Sequence, residues 1–337
     1  MRWLKRILLA LLLLAVLSLG GGYLWMRNGI APTAKAPAKL MRFDRTTGLV
    51  VALDRLKSEG IVENPRAIRI YAWLARKPSF VREGTYSLAG GMSADEVFSA
   101  LQKPIRQMVR IPETNFSMRT AKLLELPKYQ VATENEYLDL SRSPSEFAAS
   151  VKMKLPAAGT LEGYLYPDTY DLPPLLGARG VIERQLKAFE QKAWPLLKDH
   201  KDPYKILKIA SLIELEVAKD SERPIVAGVI YNRIQKNMSL GIDAALNYAL
   251  GEWRPLTKKD LQIDSPYNLR RFPGLPPTPI CSPTVKSIKA ALNPAKHDYL
   301  FYVVSGKPDK SHRFAKTNAE HERNKRLWKQ TLKEVTP

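Results

Sequence analysis

A chain of 337 residues with 45% hydrophobic and 26% charged side chains can hold two domains and is too apolar to be a disordered chain. Its 53 Lys and Arg stand against 33 Asp and Glu, and the resulting net charge of +20 calls for an anionic neighbour: nucleic acid, a lipid headgroup surface or an acidic polymer. The single Cys281 excludes an intramolecular disulfide, so the fold rests on its core.

Residues 7–26, ILLALLLLAVLSLGGGYLWM, carry no charge, and a helix of that length spans roughly 30 Å, one bilayer core. Arg2, Lys5 and Arg6 precede it, which places residues 1–6 in the cytoplasm, and Tyr23 and Trp25 suit the far interface. A cleaved signal peptide is the alternative, but no small-x-small site follows promptly. An uncleaved span puts the rest of the chain outside the cytoplasm. That placement disfavours nucleic acid as the partner, as does the scatter of the basic residues.

Residues 27–40, rich in Ala, Pro and Lys, read as a semi-extended linker. Residues 41–110 read as a small α/β unit. Two stretches, TGLVVALDRLKSEGIV and PRAIRIYAWLARK, have helical spacing, and Gly60 stops the first. FVREGTYSL is a strand, Ser93 and Glu96 form a capping box for the next helix, and RQMVRIPE closes the unit as a strand. Residues 111–337 read as mainly helical. Asp202 starts the helix through SLIELEV, and Ser221 is expected as the N-cap of the next, with Pro224 in its first turn. SPYNLRRFPGLPPTPICSP is too Pro-rich for helix or central strand and must be a shaped loop. DYLFYVVSG and SHRFAKT pair as strands around a Gly-Pro turn, and the basic run KTNAEHERNKRLWK near the end reads as a solvated face. The fold class is α+β.

SLIELEV sets two glutamates inside a helix that otherwise reads as buried. Glu216 stacks over Ile213, Leu212 and Ile209, whereas Glu214 stacks over Ser211, Ala210 and Leu207. A carboxylate walled by apolar side chains is held protonated toward neutral pH, as a general acid requires, so helical geometry nominates Glu216. An ion pair between Glu216 and Lys219 is the alternative on these residues alone. The four histidines lack zinc-site spacing, there is no Gly-rich phosphate loop, and Cys281 reads as a packing thiol, which leaves carboxylate chemistry and no cofactor. The segment LEGYLYPDTYDL, with two acids and three tyrosines, reads equally as a cleft wall and as a packed loop capped by Asp168.

LEGYLYPDTY, ASLIELE, ERPIVAGVIYNRIQKNMSL, SPYNLRRFPGLPPTPI and NPAKHDYLFYV…HRFAKTNAEH occur in this order. Together they resemble the membrane-anchored endolytic murein transglycosylases, the YceG-like proteins, with a LysM-like unit at REGTYSL and MSADEVFSAL before the catalytic domain. The resemblance implies that Glu216, the second glutamate of the family's S-[IL]-[IV]-E-x-E pattern, is catalytic. It implies non-hydrolytic cleavage between N-acetylmuramic acid and N-acetylglucosamine, leaving 1,6-anhydro ends on nascent glycan strands. Glu162, Tyr164, Asp168, Glu214, Asp243, Tyr248, Tyr267 and Asn268 become the expected substrate-side residues. No metal or nucleic acid is implied; the partners are glycan strands, the inner membrane and peptidoglycan synthases. The chain departs from the family at Gly241, Ile242, Ala244, Ala245 and Leu269, and at Leu215, Val217 and Thr114, where hydrogen-bonding groups or a Gly are usual. These departures leave an inactive peptidoglycan-binding scaffold as the alternative.

Overall fold

The computed structural model describes residues 2–156 and 159–335; the chain ends at Met1 and Pro337, used above as domain limits, lie outside the described residues. The chain divides into Met1–Gln107 with Asp171–Leu176, and Met108–Tyr170 with Gly177–Pro337.

In the first unit, α1 (Arg2–Gly29) holds the uncharged stretch, and its Lys5–Gly29 part is apolar enough to cross a membrane and unburied. Then follow β1 (Lys39–Phe43), β2 (Thr47–Gly48), α2 (Leu49–Ser58), α3 (Pro65–Leu74), β3 (Phe80–Val81), β4 (Gly84–Leu88) and α4 (Ala94–Leu101). β1 pairs antiparallel with β4, Lys39 opposite Leu88 and Phe43 opposite Gly84. Phe43, Leu53, Leu56, Tyr86, Leu88 and Val97 form the core beneath. The chain leaves α2 through Gly60 at φ +74°, a left-handed position that glycine adopts without strain. The Ser93–Glu96 capping box forms as the sequence predicts. The stretch after α1 is extended, as expected, but it is not a free spacer: Gly91 N donates to Thr33 Oγ1 at 3.0 Å and Ala36 N to Gly90 O at 3.3 Å.

The second unit is mainly helical. It runs β5 (Met108–Arg110), α5 (Ser117–Glu125), α6 (Glu134–Ser141), β6 (Thr169–Asp171), α7 (Ala178–Lys192), α8 (Trp194–Leu197), α9 (Pro203–Glu216), α10 (Arg223–Gln235) and α11 (Asp243–Leu250). It ends with α12 (Val285–Leu292), β7 (Phe301–Val304), β8 (His312–Ala315) and α13 (Asn318–Val335). Its strands occur in two-stranded pairs among the described residues, and β7 with β8 is the hairpin expected from sequence, Tyr302 opposite Phe314 and Val304 opposite His312. One helix start is corrected. Ser221 lies inside a 3-10 turn over Asp220–Glu222 and does not cap; α10 begins at Arg223, because the turn already satisfies the local backbone.

Candidate active site

Helix α9 is the hub of the second unit, packed by α10, α11 and α12. Asp202 caps it by accepting from Lys205 N at 2.9 Å, and Pro203 occupies its first position. Every residue from Ile209 to Glu214 is buried, as expected of a helix enclosed on all sides. The helix ends at Glu216 because Val217 turns extended, at φ −117° and ψ 114°.

The two glutamates meet different fates. Glu214 is the deeper, 5% exposed, and fully engaged: Oε1 accepts from Arg223 Nη1 at 3.1 Å, and Oε2 from Thr284 N and Oγ1 at 2.8 and 2.7 Å. It ties α9 to the N-terminus of α12, and Arg223 in turn reaches Asp220 and Ser287. The helical-face comparison did not anticipate this depth, because groups from α10 and α12 decide it. Among the described residues Glu216 has a single hydrogen-bond donor, Tyr302 Oη, 3.0 Å from Oε2. The Lys219 alternative is not what forms; that lysine pairs with Asp309 at 3.1 Å.

Burial pushes the Glu216 carboxyl up; the Tyr302 hydroxyl pulls it down, the Asp243 charge pushes it up again, and His312 and Arg270 oppose, with a net rise. The partial negative charge at the C-terminal end of α9 acts in the same direction as burial. Glu216 borders three cavities among the described residues. One of about 690 Å³ is also lined by Glu113, Tyr166, Leu215, Val217 and Thr284. A second, about 650 Å³, is lined by Asp243, Arg270, Tyr302, His312 and Trp328 among others, and a third, about 270 Å³, by Val304, Lys307, Lys310 and His312 among others.

Sequence reasoning missed Tyr302, His312, Glu222 and Arg270. In the register of the hairpin Tyr302, Val304, His312 and Phe314 share one face, and the Tyr302 and His312 rings meet edge-on at 5.5 Å. His312 Nδ1 lies 2.7 Å from Glu222 Oε2, and the His312 backbone N donates to the same carboxylate at 3.0 and 3.2 Å. A carboxylate accepts, so the proton sits on Nδ1. Nε2 has no protein partner among the described residues, and His312 lines the cavity beside Glu216. The period-2 pattern of the expected strands was the signal that could have found Tyr302 and His312.

Of the expected substrate-side residues, Asp243 alone shares the 650 Å³ cavity with Tyr302 and Glu216, and Arg270 grips it at 2.5 and 2.9 Å. Glu162, Tyr248 and Tyr267 line a separate cavity of about 420 Å³. There Glu162 is 1% exposed and accepts from Ser117 N and Oγ at 2.8 and 2.7 Å, capping the start of α5. Burial raises its carboxyl to about 7, against the pull of those Ser117 bonds. Tyr164 is buried against Phe189, ring centroids 5.1 Å apart. Asp168 pairs with Lys192 and accepts from Thr169 N at 2.8 Å. Asn268 is buried, its amide donating to Leu261 O and Ile263 O at 3.0 and 2.9 Å. Cys281 is fully buried, as a packing thiol should be.

The YceG-like family matches residues 44–327. The chain belongs to that family. Curated relatives carry the name endolytic murein transglycosylase. That of Bacillus subtilis strain 168 is 28% identical over 93% of this chain and 91% of its own length; that of Streptococcus pneumoniae D39 is 28% identical over 93% of this chain and 63% of its own. A crystal structure of a YceG-like protein from Listeria monocytogenes superposes with a TM-score of 0.56 at 28% identity, covering 86% of this chain and 99% of that one. Within the YceG-like frame most departures lie under the groove. Ile242, Ala244, Ala245 and Leu269 are all buried, while Gly241, at φ +64°, accepts the turn that sends its N–H to Leu269 O at 2.8 Å. Leu215 and Val217 line the 690 Å³ cavity with Glu214.

Proposed function

We propose that this chain is a membrane-anchored lytic transglycosylase that cuts peptidoglycan glycan strands internally, between N-acetylmuramic acid and N-acetylglucosamine. The observation that carries it is one protonatable carboxyl, Glu216, at the end of a buried helix and open to three cavities, with Asp243, the carboxylate whose charge acts on it, clamped by Arg270. A hydrolase of the ordinary kind needs a second carboxylate free to act as base or nucleophile. In the proposed reaction Glu216 gives its proton to the glycosidic oxygen as the bond to the muramyl C1 breaks. The muramyl C6 hydroxyl attacks C1 and returns its proton to Glu216. No water enters, and a 1,6-anhydro end results. An attack within one sugar is already positioned, which supplies much of the rate. Tyr302 holds Oε2 and leaves Oε1 for the proton; His312, oriented by Glu222, faces the same cavity as a hydrogen-bond partner for sugar hydroxyls.

In this reading α1 spans the inner membrane with its N-terminus in the cytoplasm. The β1–α2–α3–β4 arrangement of the first unit serves as a LysM-like module, and the enzyme ends strands being extended by synthases. The net charge of +20 suits a site between anionic headgroups and a carboxylated polymer. Asp243 is proposed to border the glycan. Glu162, Tyr248 and Tyr267 are proposed to hold a more distant part of it. Glu214, Tyr164, Asp168 and Asn268 hold the walls.

The test uses the full chain in detergent with uncrosslinked glycan strands and mass spectrometry of the products. Anhydromuramyl ends from the wild type that fall at least about a hundredfold in Glu216→Gln are expected. Reducing ends would mean hydrolysis, and no cleavage by the wild type would leave a binding scaffold.

A further inference from the structure

Helix α1 does not end in a free tether. A Cβ on its last residue, Gly29, would lie 2.4 Å from the Ala67 Cβ on α3, and Ile30 packs against the core of the first unit. The apolar span of 25 residues is therefore joined to α3 without a flexible spacer. A bilayer that holds α1 keeps α2 and α3 at its surface.

Those two helices leave apolar side chains bare. Val50 and Val51 of α2 are 49% and 57% exposed, and Ile70, Trp73 and Leu74 of α3 are 41%, 79% and 56% exposed. They wall a groove of about 1110 Å³. Arg69 and Arg76 stand on its rim with no acidic partner among the described residues, and Lys77, also on the rim, pairs with Asp95. No Asp, Glu, Asn or Gln lines the groove among the described residues. Sugar-binding clefts draw on several convergent polar groups, and Ser79 is the groove's one uncharged polar side chain among the described residues. An apolar floor, an exposed tryptophan and unpaired arginines match the boundary between anionic headgroups and acyl chains. Soluble surfaces rarely leave so contiguous an apolar patch uncovered.

We infer that the α2–α3 face docks onto an anionic lipid surface beside the point where α1 enters the bilayer, so that the first unit lies on the membrane rather than standing off it. The inference rests on the reading of α1 as a membrane span.

The test reconstitutes the full chain in nanodiscs of phosphatidylcholine with or without phosphatidylglycerol, each carrying shallow doxyl-labelled phospholipid. Tryptophan quenching is compared for the wild type, Trp73→Phe and Trp25→Phe. The emission assigned to Trp73 is expected to be quenched, and more so with phosphatidylglycerol. Arg69→Glu and Arg76→Glu should each weaken that contact by about fivefold at low ionic strength. Trp25, inside α1, reports on the span separately. Quenched Trp25 with unquenched Trp73 overturns the docking and leaves the span intact; neither quenched overturns both. Shielding of Trp73 from aqueous iodide only on adding glycan strands, or only at high protein concentration, also overturns it, by giving the groove to sugar or to a second copy.

Discussion

In the proposed reaction Tyr302 tempers the rise of the Glu216 carboxyl through a hydrogen bond of 3.0 Å. The hydroxyl donates to the carboxylate and so favours its charged form, against the burial that raises it. Removing the donor lets burial act with less opposition, and the Glu216 carboxyl rises further. Tyr302→Phe is therefore expected to move the alkaline limb of kcat/KM to higher pH. It should also lower kcat by roughly ten- to a hundredfold, the weight of a hydrogen bond to a charged group. A pH–rate profile checks both, and an alkaline limb that stays in place sinks the assignment. Glu214 makes the opposite case. It is held by Arg223 and Thr284, so Glu214→Ala leaves the buried Arg223 guanidinium to Asp220 and Ser287, leaves the Thr284 N–H without its acceptor, and should destabilise the protein by about 3 kcal/mol in thermal or urea unfolding. Glu216→Gln, with only Tyr302 to disappoint, should leave stability nearly unchanged.

At the scale of elements, helices were readable where their start and stop signals are local. Asp202-Pro203 starts α9, the Ser93–Glu96 box starts α4, and Gly60 follows the end of α2, each within a turn of the residues it serves. The desolvation of Glu216 was readable for the same reason, since its apolar neighbours lie one and two turns back on its own helix. Tyr302 was not, because it reaches Glu216 across 86 residues of sequence, and no helical or strand period encodes which hairpin meets which helix end. Ser221 failed where two local preferences competed and the 3-10 turn prevailed. The LEGYLYP segment shows the same limit. Gly163 sits at φ +94°, and a Cβ there would meet the Pro279 ring at 2.6 Å, while Ser282 Oγ accepts from Gly163 N and Leu165 N at 3.2 and 3.0 Å. A motif that looked like a cleft wall is also the clasp between two distant loops.

For the whole molecule, pH links the buried carboxyls to stability, and Glu162 shows the link directly. Folding lifts its carboxyl from 4.5 to about 7, chiefly by burial, so the folded chain holds the proton more tightly than the unfolded chain. Its contribution is fully present below pH 4.5 and is lost as the pH rises through about 7. The burial of Glu216 acts in the same direction. The loss from Glu162 amounts to about 3 kcal/mol above neutrality, several degrees in Tm for the second unit. Melting of the full chain in detergent should therefore fall between pH 5 and 8. Glu162→Gln keeps an oxygen for Ser117 N and Oγ and removes the buried charge. That variant should lose most of the slope and melt above the wild type at pH 8, where the wild-type carboxylate is ionised with only Ser117 and the Gly163 backbone to stabilise it. A wild-type Tm that rises over the same range would place the ionised form in the folded state at ease, and would require solvent at a side chain that is 1% exposed.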